Sequence, residues 1–288
     1  MSQPADVRHP AEVGSAGAGL PNLARADIGV IGGSGFYEFL DHADEITVDT
    51  PYGLPSDPIM TGEVAGRAVA FVPRHGRDHR FPPHQIPYRA NLWALRSLGV
   101  RQILAPTAVG SLNPAHGPGR LAIPDQLVDR TSGRVQTFYD RDAVHVPFAD
   151  PYCPAGRARS IAAARAADWD LAESGTLVVI EGPRFSTRAE SQWYAAQGWS
   201  LVGMTGHPEA VLARELALCY TAIALVTDTD AGVEEGGGVT QEEVFRVFAS
   251  NVARLRDMVS EVIANLPAER TCPCPHVLDG IKLPIQLP

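Results

Sequence analysis

Apolar residues along this chain fall into short runs, each closed by glycine or a small polar residue. Ile28-Gly29-Val30-Ile31 leads into Gly32-Gly33-Ser34-Gly35, the pattern of a buried strand feeding a tight turn with exposed backbone N–H groups. Asp57 to Thr61 and Ala68 to Val72 read as two more strands, separated by the hairpin-like gap Gly62 to Arg67. A loop rich in His, Arg and Pro runs from Pro73 to Pro87. Leu92, Leu95 and Leu98, with Trp93 beside them, share one face of a helix predicted over Tyr88 to Leu98, and Gly99 is placed to cap it.

The alternation continues. Arg101 to Ala108 predicts a strand, followed by the small-residue turn Val109-Gly110-Ser111-Leu112-Asn113-Pro114. Arg120 to Asp129 reads as extended and buried, Pro154 to Trp169 as helix, and Gly175 to Glu181 as strand. Thr187 to Gln197 predicts a helix, Leu201 to Met204 a short strand, and Pro208 to Leu218 a helix with Pro in its first turn. A strand over Cys219 to Thr227 and a long helix over Gln241 to Leu266 follow. Strands and helices alternate without a compositional break, which predicts one α/β domain over residues 26–288. The Ala-, Gly- and Pro-rich stretch over residues 1–25 reads as a disordered tail without the basic and apolar regions of a secretory signal.

At 288 residues and 45% hydrophobic, the chain can bury a sizeable core. Its net charge of −9 argues against a nucleic-acid groove, which needs a dense Lys/Arg stripe, but leaves room for a small anion. No apolar run is long enough for a membrane helix. Four cysteines do not make a disulfide scaffold in this length, so a cytoplasmic location is expected. Cys153 and Cys219 lie far in sequence from Cys272-Pro273-Cys274-Pro275-His276, where only three ligands are local. A metal site is therefore not expected there, and a redox-active pair or surface cysteines are. His79, His84 and His116 read as ordinary loop histidines.

In α/β sheets ligands gather beyond the carboxyl ends of strands, and the polar clusters of this chain lie there. Ser34, Arg74, His75 and the hydroxyls of Thr107 and Thr205 form an inventory of neutral donors and one permanent cation that suits phosphate. A glycine turn taken alone more often marks close backbone approach. The turn also lacks the third glycine of a dinucleotide fingerprint, and no GxxxxGK[ST] loop occurs. Asp228 and Asp230 stand two apart at a strand end, so an extended backbone points both to one face, about 7 Å apart. One carboxyl would accept from a purine 6-amino group while the other donates to N7; the bland alternative is a turn in which Asp bonds its own backbone.

Read in order, several motifs resemble one family. Ile31-Gly32-Gly33-Ser34-Gly35-Phe36, Arg74-His75-Gly76-Arg77-Asp78-His79 and Thr107-Ala108-Val109-Gly110-Ser111-Leu112 are similar to the 5′-methylthioadenosine phosphorylase branch of the trimeric purine nucleoside phosphorylases. The resemblance continues through Asp125 to Thr131, Phe138-Tyr139-Asp140 and His145-Val146-Pro147. It is most specific at Glu181-Gly182-Pro183-Arg184-Phe185-Ser186-Thr187-Arg188-Ala189-Glu190, followed by Met204-Thr205 and Pro208-Glu209, and it covers roughly Ala26 to Leu266.

The resemblance implies a mixed, barrel-like sheet surrounded by helices, a homotrimer, and no metal or organic cofactor, inorganic phosphate being a co-substrate. It implies a phosphate site from Ser34, Arg74, His75, Thr107, Ala108 and Thr205, and a base pocket from Phe185 and Ser186. Met204 would lie against the ribose, and Asp228 and Asp230 would select a 6-amino purine and protonate it. His145 would be lent by a neighbouring subunit to the 5′ pocket. Aliphatic residues expected in that pocket match Gln241, Val244 and Phe245, and the polar Gln241 leaves room for a 5′-hydroxyl. The expected partners are thus a nucleoside and phosphate, with no nucleic acid and no membrane. The rival readings are a phosphorylase for 6-oxopurine nucleosides or methylthioinosine, a phosphate-independent nucleosidase, and a nucleoside-binding protein without turnover.

Overall fold

The computed structural model describes residues 25–33, 36, 39–40, 43–233 and 238–288. Ser34, Gly236 and Gly237, and the expected N-terminal tail up to residue 24, lie outside the described residues.

Five strands carry the centre of the sheet. β1 (Ile28–Gly32) is buried along its whole length and lies between two parallel neighbours, β4 (Arg67–Pro73) and β5 (Gln102–Ser111). β11 (Cys219–Thr229) runs parallel to β5, and the short β10 (Leu201–Gly203) pairs antiparallel to it. β5 is therefore a branch point, and the 11-stranded mixed sheet forks there. One branch continues through β10 to β9 (Thr176–Ile180) and β7 (Gln126–Arg130). The other runs through β11 to β6 (Leu121–Ala122) and β8 (Leu171–Ala172). Beyond β4 lie β3 (Ile59–Val64) and the edge strand β2 (Asp44–Ile46).

Strands buried on both faces read as continuous apolar runs, and here successive residues feed two different cores. Ile31, Ala70, Val72 and Ile103 pack with the helices α1 (Tyr88–Ser97) and α4 (Gly206–Glu215). Val30, Val69, Phe71 and Leu104 pack on the opposite face with α2 (Pro154–Ala166) and α5 (Gln241–Asn265). The fifth helix, α3 (Arg188–Ala196), begins with a capping box in which the Thr187 hydroxyl accepts from the Glu190 N–H and the Glu190 carboxylate accepts from the Thr187 N–H.

Several boundaries differ from the sequence reading. Val109 to Ser111, read as a turn, continue β5 because β11 pairs with them through Ser111. The extended piece over Arg120 to Asp129 splits into β6 and β7, and β7 is largely solvent-facing at the sheet edge. The hairpin gap between β3 and β4 closes to Ala65-Gly66. β2 and β8, three and two residues long, have too little pattern to be seen in sequence. The cysteines are not on the surface: Cys153, Cys219, Cys272 and Cys274 are all buried, and folding brings the two distant ones against the C-terminal pair.

Candidate active site

Because β1, β4, β5 and β11 are mutually parallel through β1 and β5, their carboxyl ends open in one direction. Gly33, Arg74, His75, Thr107 to Gly110, Asp228 and Asp230 meet there around a cavity of about 410 Å³. The opposite branch contributes Ile180, Met204 and Thr205, and the loop after β9 contributes Phe185 and Ser186. The start of α5 forms a further wall. Gln241, Val244, Phe245 and Phe248 follow the i, i+3, i+4, i+7 rule and turn one helical face to the cavity.

Arg74 is buried and its charge is already paired. Its Nε donates to Glu209 Oε1 at 2.5 Å, Nη2 donates to Glu209 Oε2 and to the Ile31 carbonyl, and Nη1 donates to the Pro106 carbonyl. Of five guanidinium N–H groups, one on Nη1 remains for an anion. Glu209 also accepts from the Tyr220 hydroxyl at 2.8 Å, so the ion pair is held from a third side. Arg74 is thus a permanent cation whose charge is already balanced by Glu209.

His75 Nδ1 lies 2.8 Å from the Phe81 carbonyl, which can only accept. The proton therefore sits on Nδ1 and leaves Nε2 as an acceptor in the neutral ring. Burial, followed by the nearby Arg74 charge, pulls the His75 pKa down to about 4 against the Phe81 contact, so the ring is neutral near pH 7. His79, read as an ordinary loop histidine, stacks on it at 4.4 Å and lines the cavity. The hydroxyls of Thr107 and Thr205 approach to 3.5 Å. Two hydroxyls, a neutral imidazole and one guanidinium N–H converge here.

Asp228 and Asp230 are both buried and line the same cavity. The strand register shifts between Val226 and Asp228, and Thr227 Oγ1 donates to Asp228 Oδ1 at 2.8 Å. Ser191 Oγ, on α3, donates to Asp230 Oδ2 at 2.6 Å. Gly110 makes room for this pair, since a Cβ there would stand 2.8 Å from Asp228 Oδ2. Burial, reinforced by the Asp230 charge and opposed by the Thr227 hydroxyl, raises the Asp228 carboxyl to about 6. The buried Ser186 hydroxyl has no protein partner among the described residues. That leaves it for a ligand.

Arg134 was not singled out in the sequence, yet it holds two walls together. Its guanidinium donates to the carbonyls of Glu181 (2.6 Å), His207 (2.6 Å) and Met204 (2.9 Å), and pairs with the Glu181 carboxylate at 3.2 Å. An arginine in a loop carries no sequence signal of such a role. Gly182 adopts φ +64°, and a Cβ there would fall 2.6 Å from Met204 Sδ, so glycine lets the loop close on Met204. His207 is buried, with Nε2 3.2 Å from Asp129 Oδ2. Its burial lowers its pKa. His145, by contrast, is exposed and is not part of this cavity wall.

The family profile described as the Phosphorylase superfamily matches residues 27–264. The chain belongs to that superfamily. A purine nucleoside phosphorylase of Streptomyces coelicolor is 61% identical over 93% of this chain and 100% of its own length. An S-methyl-5′-thioadenosine phosphorylase of Mycolicibacterium smegmatis is 56% identical over 91% of this chain and 99% of its own. Among solved structures, methylthioadenosine phosphorylase from Schistosoma mansoni in complex with adenine superposes with a TM-score of 0.81 at 37% identity, covering 85% of this chain and 93% of that one. The mixed α/β architecture is that of these phosphorylases, and the chain is a pentosyltransferase of the purine nucleoside phosphorylase type.

Proposed function

We propose that this chain cleaves 5′-methylthioadenosine with inorganic phosphate, giving adenine and 5-methylthioribose 1-phosphate, a salvage reaction for purine and methionine. One observation carries the reading: a donor-rich cluster and a pair of carboxyl groups line the same cavity, whose volume suits a nucleoside. Phosphate would sit at the cluster of Arg74, His75, Thr107, Ala108 and Thr205, where Gly33 also lines the cavity. Neutral His75 Nε2 accepts from a phosphate O–H, while the two threonine hydroxyls and the remaining Arg74 N–H donate.

Breaking the glycosidic bond builds positive charge on the ribosyl ring. A phosphate fixed beneath C1′ stabilises that charge and then captures the carbon. The leaving adenine must be neutralised at N7. Asp228 would take this role, since a carboxyl held near 6 retains a protonated fraction at neutral pH. Asp230, fixed by Ser191, and the unpartnered Ser186 hydroxyl complete base recognition, with Phe185 beside them. Met204 borders the ribose, and Val244 and Gln241 border the 5′ group.

Exposed His145 fits a residue offered to a neighbouring active site, and with it a homotrimer working in the cytoplasm without metal or organic cofactor in the reaction. Incubation with methylthioadenosine, with and without phosphate, tests the reading. Adenine and a pentose phosphate should appear only with phosphate; equal adenine release in water would make the protein a nucleosidase. The S. coelicolor relative's name keeps a second reading, a broader purine nucleoside phosphorylase, which the same assay with inosine addresses.

A further inference from the structure

Away from the cavity, folding gathers four cysteine thiols that the nucleoside chemistry does not use. Cys153 is the N-cap of α2, Cys219 opens β11, and Cys272 and Cys274 belong to the segment after α5. All four are buried, and their sulfur atoms all lie within 4.8 Å of one another. A tetrahedron of sulfurs about 2.3 Å from a central ion has edges of roughly 3.8 Å, so the thiols already stand near the corners of one. Cys219 Sγ and Cys272 Sγ are 3.4 Å apart, close enough that a small outward movement suffices. We propose that Cys153, Cys219, Cys272 and Cys274 form a closed tetrathiolate site for one zinc-class divalent ion, which staples the C-terminal segment to the start of β11 and to α2.

Two further features fit a thiolate cage. The Gly156 N–H points to Cys153 Sγ at 3.5 Å, so the first turn of a thirteen-residue helix supports negative charge on that sulfur. A tetrathiolate zinc centre carries two negative charges, because one divalent ion displaces four protons from four thiols. Positive charge is waiting nearby. Arg270 Nη1 donates to the carbonyls of Ala217 (2.8 Å) and Arg101 (3.5 Å), Arg96 Nη1 donates to Leu216, and the Arg101 carbonyl also receives the Cys219 N–H at 3.0 Å. None of Arg96, Arg101 and Arg270 has a carboxylate ion-pair partner among the described residues. Three guanidiniums gathered beside one strand end repel each other, and a buried dianion supplies the missing counter-charge. Thiolates select zinc-type ions over magnesium or calcium, and four protein ligands leave no position for substrate, so the site is structural.

The proposed site differs from the expectation from sequence, where the local candidates were Cys272, Cys274 and His276. Cys219 lies 53 residues before Cys272, and Cys153 a further 66 before Cys219, separations no spacing rule detects.

The test uses the full chain, purified under reducing conditions without a metal-binding tag. Zinc is added, excess is removed by dialysis, and bound metal and reactive thiols are counted. About one zinc per chain is expected, with all four thiols shielded from a thiol reagent until a chelator and denaturant release the metal. Titration of the metal-free protein with Co²⁺ should give sulfur-to-cobalt charge-transfer absorption and the visible bands of a tetrahedral ion. Cys153→Ser and Cys274→Ser should each lose that signal, and trypsin should then cut at Arg270 faster than in wild type. No retained metal and no cobalt–thiolate absorption would overturn the proposal. So would an intact mass four hydrogens lighter in protein as isolated, since two disulfides would have taken the thiols.

Discussion

Arg74 and Glu209 form a fully buried ion pair, 2.5 Å between Nε and Oε1, at the edge of the cavity proposed to receive phosphate. The pair joins the end of β4 to α4, so the same guanidinium both builds the fold and lines the cavity. Removing one partner of such a pair leaves an uncompensated buried charge, costing about 3–5 kcal/mol. Arg74→Ala should therefore lower thermal stability as well as raise the phosphate KM. Because one N–H remains for the anion, the rise should correspond to about 1.5–3 kcal/mol, roughly ten- to a hundred-fold, with the nucleoside KM far less affected. The double variant Arg74→Ala/Glu209→Gln separates the effects. It should regain stability and keep the weak phosphate binding. An unchanged phosphate KM in Arg74→Ala would take Arg74 out of the site.

The raised Asp228 carboxyl makes two linked pH predictions. If its protonated form neutralises adenine, kcat/KM for an adenine nucleoside falls as pH rises through about 6, and Asp228→Asn lacks that limb. Phosphate's own titration affects both proteins alike. The stability effect has a definite sign. The folded value lies above the ordinary 3.8, so the contribution from Asp228 is fully present below 3.8 and is lost as pH rises through about 6. Asp228→Asn, which ends that loss, should melt higher than wild type above pH 6 and lose its advantage in acid. Parallel melting curves that never converge would remove burial of this carboxyl as the cause.

Much of this site was legible because each strand ends in a recognisable cluster. Arg74-His75, Thr107-Ala108, Met204-Thr205 and Asp228 to Asp230 are local in sequence, and the parallel register carries them to one place. What escaped depends on tertiary geometry. Glu209 as the partner of Arg74 lies 135 residues away, and Arg134 reaches 47 to 73 residues to bind its carbonyls. The continuation of β5 through Gly110 was hidden for a related reason: small residues that look like a turn are there to clear Asp228.

His145 gives a prediction about assembly. It is exposed and is not part of the cavity wall of its own chain, so a role in catalysis requires a second chain. Each site is then composite, and activity depends on the oligomer. Specific activity should fall with dilution in step with dissociation measured by sedimentation, and His145→Ala should weaken 5′-modified nucleosides without altering phosphate KM. A fully active monomer would contradict this.

Base selectivity follows from how the two carboxylates are tied. Asp228 Oδ1 is held by Thr227 and Asp230 Oδ2 by Ser191, which leaves Asp228 Oδ2, over Gly110, and Asp230 Oδ1 for the purine. An ionised carboxylate only accepts hydrogen bonds. Facing a 6-amino group it is satisfied; facing a 6-oxo group it meets another acceptor, at a cost of about 1–3 kcal/mol or more in a buried site. The wild type should therefore favour methylthioadenosine over methylthioinosine by roughly ten-fold or more in kcat/KM. Asp230→Asn offers an amide donor to the oxo group and should shift the ratio toward the inosine compound, while Asp228→Asn removes the proposed N7 acid and should slow adenine release, both changes being needed for a full reversal. Comparing the two nucleosides keeps the 5′ group constant, so the 5′ pocket cancels. A wild-type preference for the inosine member would assign these carboxylates to a 6-oxopurine phosphorylase, the second reading above, and leave phosphate binding at Arg74 and the threonines untouched.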